Sequence, residues 1–281
     1  MEDLRFFCGI RRLLADSTCL IQFLIKDMFS LPTLLLIGAA CQSLLFAVLP
    51  LGFAFLPVLI LLLHTALTTL YQLLFMGRNN YLSQVIHGRV SAQLPNYVDS
   101  FGRQPAGQPL AVFHMGVRFN HPLGMLAPGG AEIGKHFMAC VSEITDHSDE
   151  FGLLGHSYWR ADERANQNTL LVIFYFTSIE KLNSFAHSKL HKKAWEWYIN
   201  FCKRSGGHIG VYHETFYAAP GGYETIYANM PPVLLGETQV KMKHWTGRNE
   251  FIRPLVDAEV DPLRSQMSRM GLDCDAVSMV K

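Results

Sequence analysis

The chain has 281 residues, a formal net charge of +1 and a charged fraction of 17%, below the roughly 25% typical of globular proteins. It contains no block of basic residues, which argues against nucleic-acid binding, and no nucleic-acid partner is expected. The six cysteines are scattered without a CxxC pair, which argues against a zinc site or a disulfide framework and fits a reducing compartment.

Charge is missing from one segment near the start of the chain, since no Asp, Glu, Lys or Arg occurs between Met28 and Gly77. Within it, Leu31–Leu49 and Phe53–Phe75 are each long enough to cross a bilayer, and a Pro-Leu-Gly turn separates them. Lys and Arg lie on both sides, so the positive-inside rule places both flanks in the cytosol. We therefore expect a transmembrane hairpin over residues 30–77; the alternative is a helical hairpin buried in a soluble protein.

The segments on either side of the hairpin differ in composition. Residues 1–29 mix apolar and basic side chains and are expected to lie on the membrane surface as an amphipathic helix. Residues 78–109 are polar with several prolines, which is typical of a linker. A folded domain is predicted over residues 110–237, followed by a polar C-terminal tail over 238–281.

The pattern of the folded domain predicts alternating strands and helices. In chain order these are the strand Leu110–Asn120, the helix Ala131–Thr145, the strands Phe151–Arg160 and Thr169–Phe176, the helix Ser178–Cys202, the strand His208–Tyr217 and a short strand Tyr223–Ala228. The order β-α-β-β-α-β is typical of a ferredoxin-like α+β fold, in which helices cover one sheet face. Two such sheets often pair through their free faces, so we expect a homodimer.

Strand alternation divides the predicted sheet into two faces. The first strand places its apolar residues Ala111, Phe113, Met115, Val117 and Phe119 towards the helices. The other face is expected to carry His114, Arg118 and Asn120, together with Tyr175, His156 and Tyr158 from the neighbouring strands. Such a mixed polar and apolar face could bind a largely apolar ligand; the alternative is a solvated surface.

His213 and Glu214 are adjacent in the predicted strand His208–Tyr217, and a neighbouring carboxylate can tune imidazole protonation. Alternation places them on opposite faces. If Ile209 and Val211 face the helices, Tyr212 and Glu214 point into the cavity; a β-bulge would place His213 there instead. No GxGxxG, Walker A, HExxH or GxSxG motif supports NAD, ATP or ordinary hydrolase chemistry.

Five motifs resemble a family of fungal membrane-anchored monooxygenases, some acting in secondary-metabolite clusters such as the fumagillin pathway. They are GVRFN (116–120), GLLG (152–155), Ala194-Trp195, GVYHET (210–215) and GGYETIYANMPP (221–232). The resemblance covers about residues 110–237. It implies a dimeric α+β barrel, related in fold to the antibiotic-biosynthesis monooxygenases, and an O2-dependent oxidation or oxidative cleavage of an apolar polyketide or terpenoid.

The resemblance leaves the cofactor open, because related monooxygenases often need none, whereas aldoxime dehydratases of similar fold bind haem through a His. We expect an enzyme on the cytosolic face of the endoplasmic reticulum. In this hypothesis Arg118 and Asn120 orient a polar or anionic group of the substrate, and His213, supported by Glu214, is the general base or a haem ligand. His114 is the second candidate base. The alternatives are a haem-dependent lyase of the aldoxime-dehydratase type and a non-catalytic module that holds an apolar intermediate at the membrane.

Overall fold

The computed structural model describes residues 31–75, 79–95, 102, 104–160, 169–243 and 249–272. The amphipathic segment predicted over residues 1–29 lies outside this part of the chain. The structure divides into two compact units between Leu82 and Ser83. Each unit is described separately below.

The first unit contains two helices that are long and apolar enough to cross a membrane, Leu31–Val48 and Leu51–Leu74. Its helical elements are α1 (Leu31–Val48), α2 (Leu51–Ala54) and α3 (Leu56–Leu74). The side-chain amide of Gln42 donates a hydrogen bond of 2.8 Å to the carbonyl of Ala54, which joins the two helices. Phe46 and Phe55 pack edge to face with ring centroids 5.0 Å apart. Two contacting helices therefore lie where the transmembrane hairpin is predicted, and their crossing of a membrane stays a prediction.

The second unit is an α+β structure in which every pairing among the described strands is antiparallel. Its strands are β1 (Ile86–Ala92), β2 (Leu110–Phe119), β3 (Leu153–Arg160), β4 (Thr169–Phe176), β5 (Ile209–Ala218), β6 (Tyr227–Met230), β7 (Val240–Lys243), β8 (Asn249–Ile252) and β9 (Leu255–Asp257). Its helices are α4 (Gly130–Asp146), α5 (Ser148–Phe151), α6 (Ile179–Ala186), α7 (Lys189–Ser205) and α8 (Gln266–Arg269).

The main sheet has four strands in the order β3-β4-β2-β5, with helices α4, α6 and α7 on one face. This is the predicted split βαβ arrangement. Phe174 and Phe176 from β4 are fully buried against residues of α4 and α6 such as Ile144 and Phe185. Alternation of large apolar residues along β2 and β4 therefore generates the core on the helix side, as the sequence predicts.

The long helix predicted over Ser178–Cys202 is two helices in the structure. Ser178 caps α6, since its side chain accepts a hydrogen bond from the backbone N–H of Lys181, as predicted. Ser188 interrupts the run with extended backbone (φ −61°, ψ 154°) and caps α7 by accepting from the N–H of His191. Ser favours N-caps over helix interiors because its hydroxyl competes for backbone N–H groups.

A second sheet, with the strand order β6-β1-β9, lies over part of the face opposite the helices. Its strand β1 comes from the segment interpreted as a linker, and β9 comes from the predicted tail. The predicted strand Tyr223–Ala228 is observed as β6, Tyr227–Met230, and it belongs to this second sheet. Local composition did not indicate these pairings because β1 is short and finds its partners far away in sequence.

The second sheet covers only one end of the main sheet. Leu110 and Tyr175 of the main sheet are buried there against Ala92, Tyr227 and Leu235. We call the remaining, uncovered surface the open face. The residues on it are His114, Gly116, Arg118, Ser157, Trp159, Leu171, Tyr212, Glu214 and Phe216.

Candidate active site

The centre of the open face is a cross-strand pair formed by His114 of β2 and Glu214 of β5. The strand register places the two residues directly opposite each other, so their side chains project from the same face. His114 Nδ1 lies 3.9 Å from Glu214 Oε2, which is within ion-pair distance but longer than a hydrogen bond. The His114 side chain is 28% exposed and that of Glu214 is 64% exposed. Both side chains are therefore accessible to a ligand on the open face.

His213 lies on the other side of the sheet. It pairs with Met115, a helix-facing residue, and its ring centroid is 5.7 Å from that of Phe113. The register between β2 and β5 is continuous, so no bulge returns His213 to the open face. Of the two orientations that the sequence left open, the structure has the one with Tyr212 and Glu214 facing the candidate site.

Arg118 and Asn120 are adjacent at the far end of the open face. Arg118 Nε donates to Asn120 Oδ1 at 2.7 Å, and Arg118 Nη1 donates to Thr169 Oγ1 at 3.2 Å. The Asn120 side-chain amide in turn reaches the carbonyl of Gly207 at 3.5 Å. These neutral partners hold the guanidinium in place without neutralising its charge.

Tyr212 lies across Gly116 and forms the floor between the His114–Glu214 pair and Arg118. A Cβ on Gly116 would collide with the Tyr212 ring and with the carbonyl oxygen of Leu170. The Tyr212 hydroxyl donates to that same carbonyl at 3.4 Å. Burial and, secondarily, the Glu214 carboxylate raise the pKa of Tyr212 above its ordinary value, so the phenol remains protonated at neutral pH.

Three residues expected on the open face are elsewhere. His156 and Tyr158 pair with Phe174 and Val172, which belong to the helix-side core, so both face the helices. A register shift between Leu153 and Gly155 reverses the alternation of β3, and this irregularity is not visible in the sequence. Tyr175 does face away from the helices, but it is only 8% exposed beneath the second sheet.

Burial also shifts the pKa values of His156 and Tyr175. Desolvation lowers the pKa of His156 from its ordinary value of 6.5, which disfavours its charged form. For Tyr175, burial and the neighbouring Tyr227 raise the pKa to about 12. Both residues are therefore neutral packing groups near pH 7.

Sequence reasoning missed two aromatic side chains on the open face, Trp159 and Phe216. Trp159 and Leu171 are opposite each other and continue the row of Gly116 and Tyr212 across the sheet. Phe216 packs edge to face on His114, with ring centroids 5.3 Å apart. Trp159 is 43% exposed and Phe216 is 51% exposed. The correct strand registers would have identified Trp159 and Phe216, because those registers place both residues on the same sheet face as His114.

The motif GGYETIYANMPP is a structural element. Glu224 pairs with the buried Arg269 at 2.9 Å, and the Thr225 carbonyl accepts a hydrogen bond from Ser91 at 2.7 Å. Three further side chains of the motif bond to backbone groups: Tyr223 to the carbonyl of Gln108, Tyr227 to the N–H of Gly236, and Asn229 to the N–H of Gly88. The motif therefore attaches the second sheet and its flanking segments, and does not line the open face.

Within the described residues, no group of three or more His, Cys, Asp or Glu side chains could hold a metal ion. The open face also lacks the His213 ring that the haem hypothesis requires, because that ring points towards the helices. His213 thus does not fit the role of an axial ligand at this site.

Comparison with known proteins identifies relatives of this chain. The family described as Monooxygenase af470-like matches residues 110–235. Monooxygenase af470 of Aspergillus fumigatus is 40% identical over 258 residues, covering 92% of this chain and 93% of that protein.

Two solved structures are similar to this chain at low identity. An aldoxime dehydratase crystallised with butyraldoxime has 15% identity and a TM-score of 0.40, covering 53% of this chain and 41% of that one. SnoaB, a cofactor-independent oxygenase from Streptomyces nogalater, has 16% identity and a TM-score of 0.25, covering 38% of this chain and 90% of that one. On the strength of its sequence relatives, the chain belongs to the Monooxygenase af470-like family.

Proposed function

We propose that the protein is a membrane-anchored monooxygenase of fungal secondary metabolism that oxidises an apolar polyketide or terpenoid on the open face. The observation that carries this proposal is the His114–Glu214 pair at the centre of a partly exposed aromatic surface. Membership of a monooxygenase family supports the reaction type. The mixed apolar and polar lining suits a largely apolar ligand held by a few orienting groups.

In this proposal His114 is the general base. It removes a proton from an activated carbon or hydroxyl of the substrate, and the Glu214 carboxylate stabilises the imidazolium that results. Oxidation of an activated methylene to a carbonyl by O2 releases one water and needs no external reductant, because the substrate supplies all four electrons. One oxygen atom of O2 enters the product and the other leaves in the water.

Phe216, Tyr212 and Trp159 provide the apolar surface of the site. In a single copy these rings are partly exposed. A second copy placed sheet to sheet would cover them and exclude water from the His114–Glu214 pair, which strengthens electrostatic effects within the site. The proposed active form is therefore a homodimer with a barrel between its two main sheets.

The two apolar helices support the proposed anchoring. A membrane hairpin over α1 to α3 would have both of its ends on one side of the membrane, and the Lys and Arg residues at its flanks favour the cytosolic side. Anchoring at the endoplasmic reticulum would give the enzyme access to apolar intermediates that partition into lipid. Detergent extraction of the full chain and of a chain lacking residues 1–82, followed by fractionation, tests the anchor.

The cofactor is tested separately. The absorption spectrum of the purified full chain will show a Soret band if haem is bound. Under the cofactor-free reaction, turnover persists without such a band and after treatment with a chelator. Oxygen uptake with a panel of conjugated polyenes, phenols and terpenoids tests the reaction itself. Uptake that depends on substrate supports a monooxygenase, and binding of panel members without uptake identifies a non-catalytic binding module.

A further inference from the structure

The guanidinium of Arg118 lies at the edge of the open face, and the described residues leave its charge unneutralised. Among the described residues, the ion pairs of the structure do not include Arg118, so no described carboxylate lies within 4.0 Å of it. Its described hydrogen-bond partners, Asn120 and Thr169, are both neutral. A half-buried guanidinium whose described partners are all neutral favours the binding of an anion.

The remaining donors of Arg118 are suited to a carboxylate. A guanidinium has five N–H groups, and Asn120 and Thr169 accept from Nε and from one hydrogen of Nη1. The second hydrogen of Nη1 and both hydrogens of Nη2 remain available. Nη1 and Nη2 can therefore each donate one hydrogen bond to a carboxylate, one to each of its oxygens. Because two partners already fix the guanidinium, little conformational entropy is lost when an anion binds.

The same strand relates this anion site to the proposed base. His114 and Arg118 are four residues apart on β2 and project from the same face. At roughly 3.3 Å per residue their Cα atoms are about 13 Å apart. Tyr212, packed over Gly116, forms an apolar floor between them.

We propose that Arg118 binds the carboxylate end of an amphiphilic substrate, whose apolar chain runs over Tyr212 to the His114–Glu214 pair. The substrate class is thus an apolar carboxylic acid, and the reacting carbon lies on the order of 13 Å from the carboxylate. The position of the reacting carbon depends on the proposed function, whereas binding of the anion does not.

Binding in the absence of turnover tests this proposal. The full chain in lipid nanodiscs is titrated calorimetrically with 6-phenylhexanoate, its uncharged partner 6-phenylhexan-1-ol and 6-phenylhexyl phosphate, with empty nanodiscs subtracted. We expect the carboxylate to bind about 10- to 100-fold more tightly than the alcohol. R118Q should abolish this preference, and a circular dichroism spectrum matching that of the wild type shows that the variant is folded. R118K should retain only part of the preference, because Lys keeps the positive charge but cannot donate two parallel hydrogen bonds to a carboxylate.

Lys135→Gln is the matched control, because it removes an exposed cation from α4 on the helix side. It should leave all three affinities unchanged. Equal binding of acid and alcohol, no binding of either, or a preference that survives in R118Q would overturn the proposal. A phosphate that binds more tightly than the carboxylate would overturn the carboxylate assignment. Since no oxygen is consumed in this experiment, its outcome is independent of whether the protein is a monooxygenase.

Discussion

His114 and Glu214 are directly opposite each other on β2 and β5, with Nδ1 3.9 Å from Oε2. The residue beside Glu214, His213, projects from the other sheet face towards Phe113. Glu214 therefore shares a sheet face with His114 through the antiparallel register, and not with its sequence neighbour His213.

The histidine assignment predicts different effects for two otherwise similar variants. H114N should lower turnover by about 100-fold or more, because it removes the general base. H213N, the matched control, should retain turnover close to that of the wild type. Steady-state oxygen uptake with the best substrate of the panel measures both. If H213N lost turnover and H114N retained it, the general base would be His213 and not His114.

Glu214 should act through His114. E214Q keeps the size of the side chain and removes its charge, so it should lower turnover less than H114N does. The double variant should be no slower than H114N alone, because the two residues form one unit. Multiplicative losses in the double variant would instead indicate that Glu214 has an independent role.

The ion pair between Glu224 and Arg269 should stabilise the second unit. Arg269 is 6% exposed and also donates to the carbonyls of Leu263 and Arg264. Removing one partner of a buried pair leaves the other charge uncompensated, so R269M should lower the free energy of unfolding by about 3–5 kcal/mol. Chemical denaturation followed by circular dichroism measures this change.

The exposed pair of Arg264 and Asp261 provides the control, because its atoms are 4.0 Å apart and both side chains are largely exposed. D261N should change the free energy of unfolding by less than about 1 kcal/mol. Equal effects of R269M and D261N would show that the motif GGYETIYANMPP does not have the anchoring role assigned to it.

Gly116 should be intolerant of a side chain. A methyl group there would collide with the ring of Tyr212 and the carbonyl of Leu170, so G116A should displace Tyr212 and weaken both stability and ligand binding. In Gly134 of α4 an added Cβ meets nothing within 4 Å, and G134A should stabilise the helix by about 0.5–1 kcal/mol. The midpoint of thermal unfolding should fall in G116A and rise in G134A. A G116A variant with normal stability and normal ligand binding would contradict the close packing of Tyr212 on Gly116.

Cys140 should be unreactive in the folded protein. Burial, together with the nearby Glu143 carboxylate, raises the pKa of its thiol to about 11, so almost no thiolate is present at pH 8. Iodoacetamide should modify Cys140 only after unfolding, as mapped by mass spectrometry. Rapid alkylation under native conditions would show that the core beside α4 is open to solvent.

His156 should make stability depend on pH. Its folded pKa is below the ordinary 6.5, so above pH 6.5 the residue is neutral in both the folded and the unfolded state. As the pH falls below 6.5, the unfolded state binds more protons and the folded protein loses stability. H156N should therefore flatten part of this loss in denaturation curves between pH 7 and 5. An unchanged pH profile would exclude His156 as a contributor.

The sequence predicted most of the main sheet and less of the site. Thr169–Phe176 is a strand with the predicted bounds, and the helix-facing side of β2 was correct because large apolar residues alternate there. The register shift in β3 moved His156 and Tyr158 to the other face, and no local signal marks it. Tyr175 is buried because β1 and β6 form the sheet that covers it. These two strands lie more than a hundred residues apart in sequence, so no local pattern indicates their pairing.

Incorporation of oxygen from 18O2 tests the central claim most directly. The wild-type full chain and H114N are incubated in nanodiscs with each member of the substrate panel under 18O2, and the products are analysed by mass spectrometry. The account predicts one 18O atom per product molecule in the wild type and a loss of labelled product in H114N. Product oxygen derived from water, or equal labelling by H114N, would contradict a monooxygenase that uses the His114–Glu214 pair.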